Sequence, residues 1–265
     1  MKKILICFMS LIMTMTMLVG CGSKDNDIKG SNDKKQNETV NKGNNIKATN
    51  LATSYTKYLE EKAERMETIQ EVIDGSDNYM LPLALLPLAM VDLVMLPASI
   101  CGLEEEAAVA GLAFLYNDIN YKRDGNNCTV TYKDENRGKV KFESQYDPKT
   151  DSASITVYED NEPAYVSEYI KIKDGYASQY YIYNNDDGST ALFTAVFVGD
   201  DIYSSAFEDV DKPKSIYKNN KIGTDFAKGG TVWYIEIVDG VSKVLFDGEE
   251  VNLNFDFDLE DSESE

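Results

Sequence analysis

The chain has 265 residues, no histidine, and 46 Asp plus Glu against 26 Lys plus Arg, a formal charge of −20 at pH 7. Without histidine there is no Ser-His-Asp or Cys-His nucleophile system, none of the commonest zinc sites and no ordinary proton shuttle at neutral pH. The acidic balance argues against nucleic acid as a partner, since phosphate binding needs clustered cations, and against electrostatic docking on anionic lipid.

Met1-Lys2-Lys3 precede a short apolar run from Ile4 to Met17, and Leu18-Val19-Gly20-Cys21 closes it. This order of basic start, apolar stretch and small residue before a cysteine resembles a bacterial lipoprotein signal peptide with its lipobox. The resemblance implies that residues 1–20 are removed and that Cys21 carries a diacylglyceryl group. The mature chain would then be held by acyl chains on the cell membrane, facing outside the cytoplasm. Loss of Lys2 and Lys3 takes the charge from −20 to −22. The run itself falls short of the roughly 20 residues of a spanning helix. The resemblance covers the signal segment only.

Residues 21–49 are Lys, Asp, Asn, Gly and Ser with few aliphatics. They are expected to form a flexible polar tether with a root-mean-square reach on the order of 25 Å. Residues 260–265 form an acidic tail. Between them, residues 50–259 are expected to fold as one α+β domain. Helices over 50–117 pack against a curved antiparallel meander of about nine strands over 128–259.

Tyr55, Tyr58, Leu59, Lys62, Met66, Ile69 and Ile73 recur at helical spacing with Glu60, Glu61, Glu64 and Glu71 turned away, which predicts an amphipathic helix stopping near Gly75. Tyr79 to Ile100 is almost wholly apolar, interrupted by Asp92 and by Pro82, Pro87 and Pro97, which favour short helical pieces. This block is expected to be core, enclosed by the sheet. Glu104, Glu105 and Glu106 suit the first turn of a further helix reaching Tyr116.

Alternation then predicts strands at 128–133, 139–146, 153–157, 164–173, 176–184, 190–198, 231–238, 241–246 and 251–259, linked by turns such as Asp174-Gly175, Asp239-Gly240 and Asp247-Gly248. Residues 209–230 break this rhythm and read as a long loop. Cys101 and Cys128 remain as an even pair in an exported domain. A disulfide and two free cysteines both stay open, because Cys101 lies in an apolar stretch where a thiol packs as a small hydrophobe.

Ser54-Tyr55-Thr56-Lys57 matches S-x-x-K and Ser76-Asp77-Asn78 matches S-D-N, but Lys221-Ile222-Gly223-Thr224 is not K-T-G. The match to penicillin-recognising serine enzymes is therefore read as a helix start and a turn. Asn252, Asn254, Asp256 and Asp258 alternate with Val251, Leu253, Phe255 and Phe257 and read as a solvated face instead of a calcium site. No metal, cofactor or catalytic residue is assigned. Tyr165, Tyr169, Tyr180 and Tyr181 crowd adjacent strands and are the candidate binding surface for a protein, glycan or lipid, with core packing as the competing account. Asp92 is the carboxylate to examine, since an unpaired buried charge is expensive. The chain thus reads as a membrane-anchored, non-catalytic binding or interaction lipoprotein; a carboxylate-dependent cell-envelope hydrolase is the alternative.

Overall fold

The computed structural model describes residues 48–135, 137–184, 187–219 and 231–253. The signal segment, Cys21, nearly all of the tether, residues 221–224 and the chain beyond Leu253 lie outside them.

Asn50 starts the first helix, α1 (Leu51–Asp74), by accepting a hydrogen bond from the Thr53 amide at 2.9 Å, which satisfies one of the free donors of a helix start. The chain then turns at Ser76-Asp77-Asn78: the Asn78 amide donates to Ser76 Oγ and the Met80 amide to Asn78 Oδ1. It returns antiparallel to α1 in three pieces, α2 (Leu81–Ala84), α3 (Leu86–Val94) and a 3-10 turn (Leu96–Ile100). A proline stands near the start of each, where its missing N–H costs least. At the α2–α3 joint the Leu88 amide donates to the Leu85 carbonyl, and the Ala84 carbonyl accepts from Trp233 Nε1 at 3.1 Å. A last helix, α4 (Glu105–Leu112), begins with Glu105 and Glu106.

Among the described residues, the strands that follow form one antiparallel sheet of eleven in sequence order. These are β1 (Asn117–Asp124), β2 (Asn127–Asp134), β3 (Gly138–Asp147), β4 (Ser152–Glu159), β5 (Glu162–Ile172) and β6 (Gly175–Tyr183). They are followed by β7 (Thr190–Val198), β8 (Asp201–Glu208), β9 (Trp233–Val238), β10 (Val241–Phe246) and β11 (Glu249–Glu250). Asp160-Asn161, Asp239-Gly240 and Asp247-Gly248 hold two successive residues at positive φ, the turn geometry whose twist matches that of paired strands. At Gly175 an added Cβ would collide with the Phe197 carbonyl of the neighbouring strand.

Strand pairing keeps one apolar face in line across the sheet. Val130, Phe142, Val157 and Tyr165 are successive partners, as are Tyr180, Phe193, Ala206, Trp233 and Phe246. This face and the inner sides of the helices form one core, so helices and sheet fold as a unit.

The fold is thus mostly antiparallel sheet with a few helices, and the described residues hold eleven strands where about nine were expected. Eight of the nine expected strands are present, and the three additions are β1, β8 and the two-residue β11. The helical part ends at Leu112 and the sheet begins at Asn117, so the boundaries drawn at residues 117 and 128 are corrected. Ile119 and Tyr121 are the only apolar residues of β1, and β8 turns Ser204 and Ala206 inward beside Ile202, so neither shows strong hydrophobic alternation. The ninth expected strand, 251–259, lies outside the described residues beyond Leu253, which itself makes an isolated bridge to Ser76.

Cys101, after the 3-10 turn, is disulfide-bonded to Cys128 of β2, their Cα atoms 5.8 Å apart and 27 residues apart in sequence. The bond closes a loop containing α4 and β1. Cys101→Ser with Cys128→Ser is expected to lower unfolding free energy by about 3.5 kcal/mol, the loop-closure value for this length. Urea denaturation of the double variant showing no loss would count against this bond as a staple of the helical layer to the sheet.

Candidate functional site

Ser54 of the S-x-x-K match is fully buried: it donates to Asp151 Oδ1 at 2.6 Å and accepts from the Tyr169 hydroxyl at 2.9 Å. Tyr146 donates to the same Asp151 oxygen at 2.9 Å. The network ties α1 to the β3–β4 turn, where Asp151 holds a positive φ, and leaves Ser54 no path to a substrate.

Asp92, the lone charge of its apolar stretch, meets Lys62, which lies on the apolar face of α1, inside the helical layer. Lys62 Nζ donates to both carboxylate oxygens at 2.9 Å and to the Leu88 carbonyl at 2.8 Å. The lysine head is 4 % exposed and the aspartate 14 %, so Asp92 is paired inward and does not reach out to solvent. Burial pushes the Asp92 carboxyl above its ordinary range, against the pull of the ammonium. Burial alone would lower the Lys62 pKa, but the facing carboxylate raises it, keeping the side chain cationic. Beside the pair lies a cavity of about 10 Å³, lined also by Tyr55, Tyr58, Ser178 and Tyr180. That is room for about one water and none for a lipid-like ligand.

The tyrosines offered as a binding surface do not form one. Tyr169 and Tyr180 face the helices and are buried, Tyr169 stacked on Tyr58 at 4.7 Å between ring centres. Tyr165 is half-buried and stacks on Tyr180 at 6.1 Å. Tyr181 is buried on the opposite side of the sheet, its hydroxyl donating to the Val210 carbonyl. Packing of aromatic partners across strands accounts for the cluster.

The opposite side of the sheet carries a feature that the sequence reading missed. Residues 210–219 leave β8 and cross back over β7, β6, β5 and β4. The Val210 carbonyl accepts from Thr190 Oγ1, and the Lys214 carbonyl from Gln179 Nε2. The Lys218 amide donates to Ser152 Oγ. The strap is pinned at buried Glu168. One carboxylate oxygen accepts from Ser154 Oγ and Ser215 Oγ at 3.0 and 2.7 Å, the other from Gln179 Nε2 and the Ile216 amide at 2.8 Å each. Four neutral donors replace the hydration a buried carboxylate loses. Ile216 packs on Ile170, Ala177 and Val196.

Two surface features remain. A shallow groove of about 690 Å³ runs beside edge strand β1, lined by Glu104, Glu105, Lys122, Arg123 and Asp124 among others. Its Arg123 is engaged at 2.7 Å with the Gly102 carbonyl and paired with Glu104. The second feature is apolar. Tyr79 is 83 % exposed, Met80 43 %, Leu83 48 %, Leu86 46 % and Met90 51 %. The block expected to be enclosed is therefore buried on one side only: Leu81, Leu85, Leu88, Val91 and Met95 face the sheet, and the exposed set lies roughly 180° around the helix. By length and composition Leu81–Ile100 is apolar enough to cross a membrane, yet 39 % of it is buried within the fold. Among the described residues no three His, Cys, Asp or Glu come together to hold a metal ion.

Comparison of the chain with protein-family models, with curated proteins and with solved structures finds no match in any of the three.

Two outcomes follow from the interior. Lys62→Met alone leaves Asp92 without its cation and is expected to cost about 3 kcal/mol or more, whereas Lys62→Met with Asp92→Leu is expected to cost far less than either single change. Additive losses in urea denaturation would contradict this. The second concerns pH. Burial raises the pKa of Tyr55, Tyr58, Tyr132, Tyr146, Tyr169, Tyr176 and Tyr180 above the ordinary value of 10.0. A folded pKa above the unfolded one means stability that is complete below about pH 10 and lost as pH rises through the folded values, and Lys62 acts in the same sense. With no histidine to titrate, the melting temperature should stay nearly flat between about pH 6 and 9 and fall steeply above about pH 10. The drop in circular dichroism should coincide with the rise in tyrosinate absorbance; tyrosinate forming well before unfolding would contradict it.

Proposed function

We propose that this protein is an extracytoplasmic lipoprotein, anchored through acyl chains on Cys21, whose domain acts by surface contact and not by catalysis. The observation that carries this reading is where the open surface lies. The cavity beside Lys62 and Asp92, between helices and sheet, has room for about one water, and Ser54 and Asp92 are held by their own structural partners. The accessible feature of unusual chemistry is the exposed apolar side of α2 and α3. The Cys101–Cys128 disulfide suits an oxidising compartment outside the cytoplasm. The sheet is read as curving about its helices. In support, Tyr121 of β1 donates to the Leu103 carbonyl, Tyr169 of β5 to Ser54 and Trp233 of β9 to the Ala84 carbonyl, so well-separated strands all reach the helical side.

Cys21→Ser should abolish incorporation of a labelled fatty acid into the protein and either release it from membranes or block its processing. Recovery of unlabelled, processed Cys21→Ser protein in carbonate-washed membranes would overturn the anchor.

A further inference from the structure

We infer that the exposed side of α2 and α3 is a lipid-facing surface, and that Tyr79, Met80, Leu83, Leu86 and Met90 enter the headgroup boundary of the membrane that carries the chain's anchor. The identity of that membrane rests on the reading of Cys21; the face itself belongs to the domain.

Three observations select lipid as the occupant. The first is charge. In a chain of net charge −20, no charged residue falls between Asn78 and Val91, and the next one, Asp92, is turned inward and bonded to Lys62. A protein partner would be met by a polar rim with hydrogen-bonding groups close to the apolar centre. Here the exposed helical side offers Leu, Met and Pro, and Tyr79 supplies the aromatic with a polar tip that suits the membrane–water boundary.

The second is depth. The buried half of α2 and α3 is fixed to the sheet by Leu81, Leu85, Leu88 and Val91 and by the indole bond from Trp233 to Ala84. The segment can therefore lie on a bilayer with its outer side immersed, but it cannot cross without taking the core with it.

The third is reach. The described chain starts at Ala48, and the residues from Cys21 to it span no more than about 90 Å even when fully extended. The 24 residues of α1 cover about 36 Å between the Ala48 end and the turn that holds Tyr79. An anchor at Cys21 thus has enough chain to let the far end of the helical hairpin meet the same bilayer.

The test uses residues 48–265, which make up one compact unit and omit the anchor. Flotation with phosphatidylcholine vesicles should show saturable binding. Leu83→Gln with Met90→Gln should weaken it on the order of tenfold, since two half-exposed apolar side chains are removed from the contact. Tyr79→Ser should weaken it less, and all variants should keep the parent melting temperature. Adding phosphatidylglycerol should weaken binding at low salt, because the domain is acidic, and raising salt should restore it. The buried single tryptophan, Trp233, should be quenched by nitroxide-labelled lipid in the parent and not in the double variant.

Absence of flotation at high lipid while the full chain is acylated at Cys21 would overturn this inference and leave the anchor standing. Equal binding by the double variant, or binding only to anionic vesicles that salt abolishes, would also overturn it. So would a concentration-dependent dimer that the double variant cannot form, which would make the face a contact between copies. Flotation of residues 48–265 from a chain whose Cys21 is never acylated would uphold the face and overturn the anchor.

Discussion

The pairing of Lys62 with Asp92 fixes the rotation of α3, and both sides of the domain follow from that. A carboxylate on a short helix of otherwise apolar residues can be accommodated only toward water or toward a cation. Lys62 of α1 supplies the cation from within the apolar stripe, with 2.9 Å contacts to both oxygens. At about 100° per residue, holding Asp92 inward also holds Leu88, Val91 and Met95 inward and forces Leu86 and Met90 outward. The apolar exterior is thus the far side of a helix whose orientation was set by its one charge.

The sheet, by contrast, shows neither face freely. An open meander of eleven strands has one long apolar face, and helices cover it; along its central strands the strap from 210 to 219 covers part of the other. Each cover is held by a buried or part-buried acid given neutral or cationic donors. Asp92 serves α3, Asp151 joins α1 to the β3–β4 turn, and Glu168 holds the strap. Tyrosine dominates the interior for a related reason. Its ring fills core volume while its hydroxyl can reach the donors and acceptors of a second layer, as Tyr146, Tyr169 and Tyr121 do. A core built this way is closed at neutral pH and vulnerable to base.

Legibility in the sequence followed the strength of local signals. Asp-Gly pairs between alternating runs marked several hairpins, and at Asp239-Gly240 and Asp247-Gly248 they supply the two successive positive φ angles that few sequences satisfy. The prolines at 82, 87 and 97 marked where the helical return is broken. β1 and β8 were hidden because an edge strand carries charge and a strand opposite large neighbours carries small residues, so hydrophobic alternation fades in both. Tyr169 and Tyr180 could not be told from surface tyrosines, because a meander does not reveal in one strand which face will be covered. Asp92 stood out as a charge in an apolar block, whereas Lys62 passed as one more position of the helical face. Their pairing is 30 residues apart in sequence and depends on the angle at which two helices cross, which no local pattern encodes. Glu168 gave no signal at all, since two of its four partners, Ser215 and Ile216, come from a segment without periodicity.

An exposed apolar face is ordinarily a liability, because copies of a soluble protein can meet through it. The high negative charge opposes such meetings by mutual repulsion, and the face is too small to bind tightly by itself. Attachment changes that balance. A chain tethered to a bilayer presents its face to lipid at an effective concentration set by the length of the tether, so even weak partition becomes intramolecular and largely complete. In the proposed arrangement the two devices divide the work: acyl chains hold the protein at the membrane, and the side of α2 and α3 determines how the domain lies on it. In that arrangement a surface that needs only to orient, and not to capture, can remain small. That is the size and chemistry found between Tyr79 and Met90.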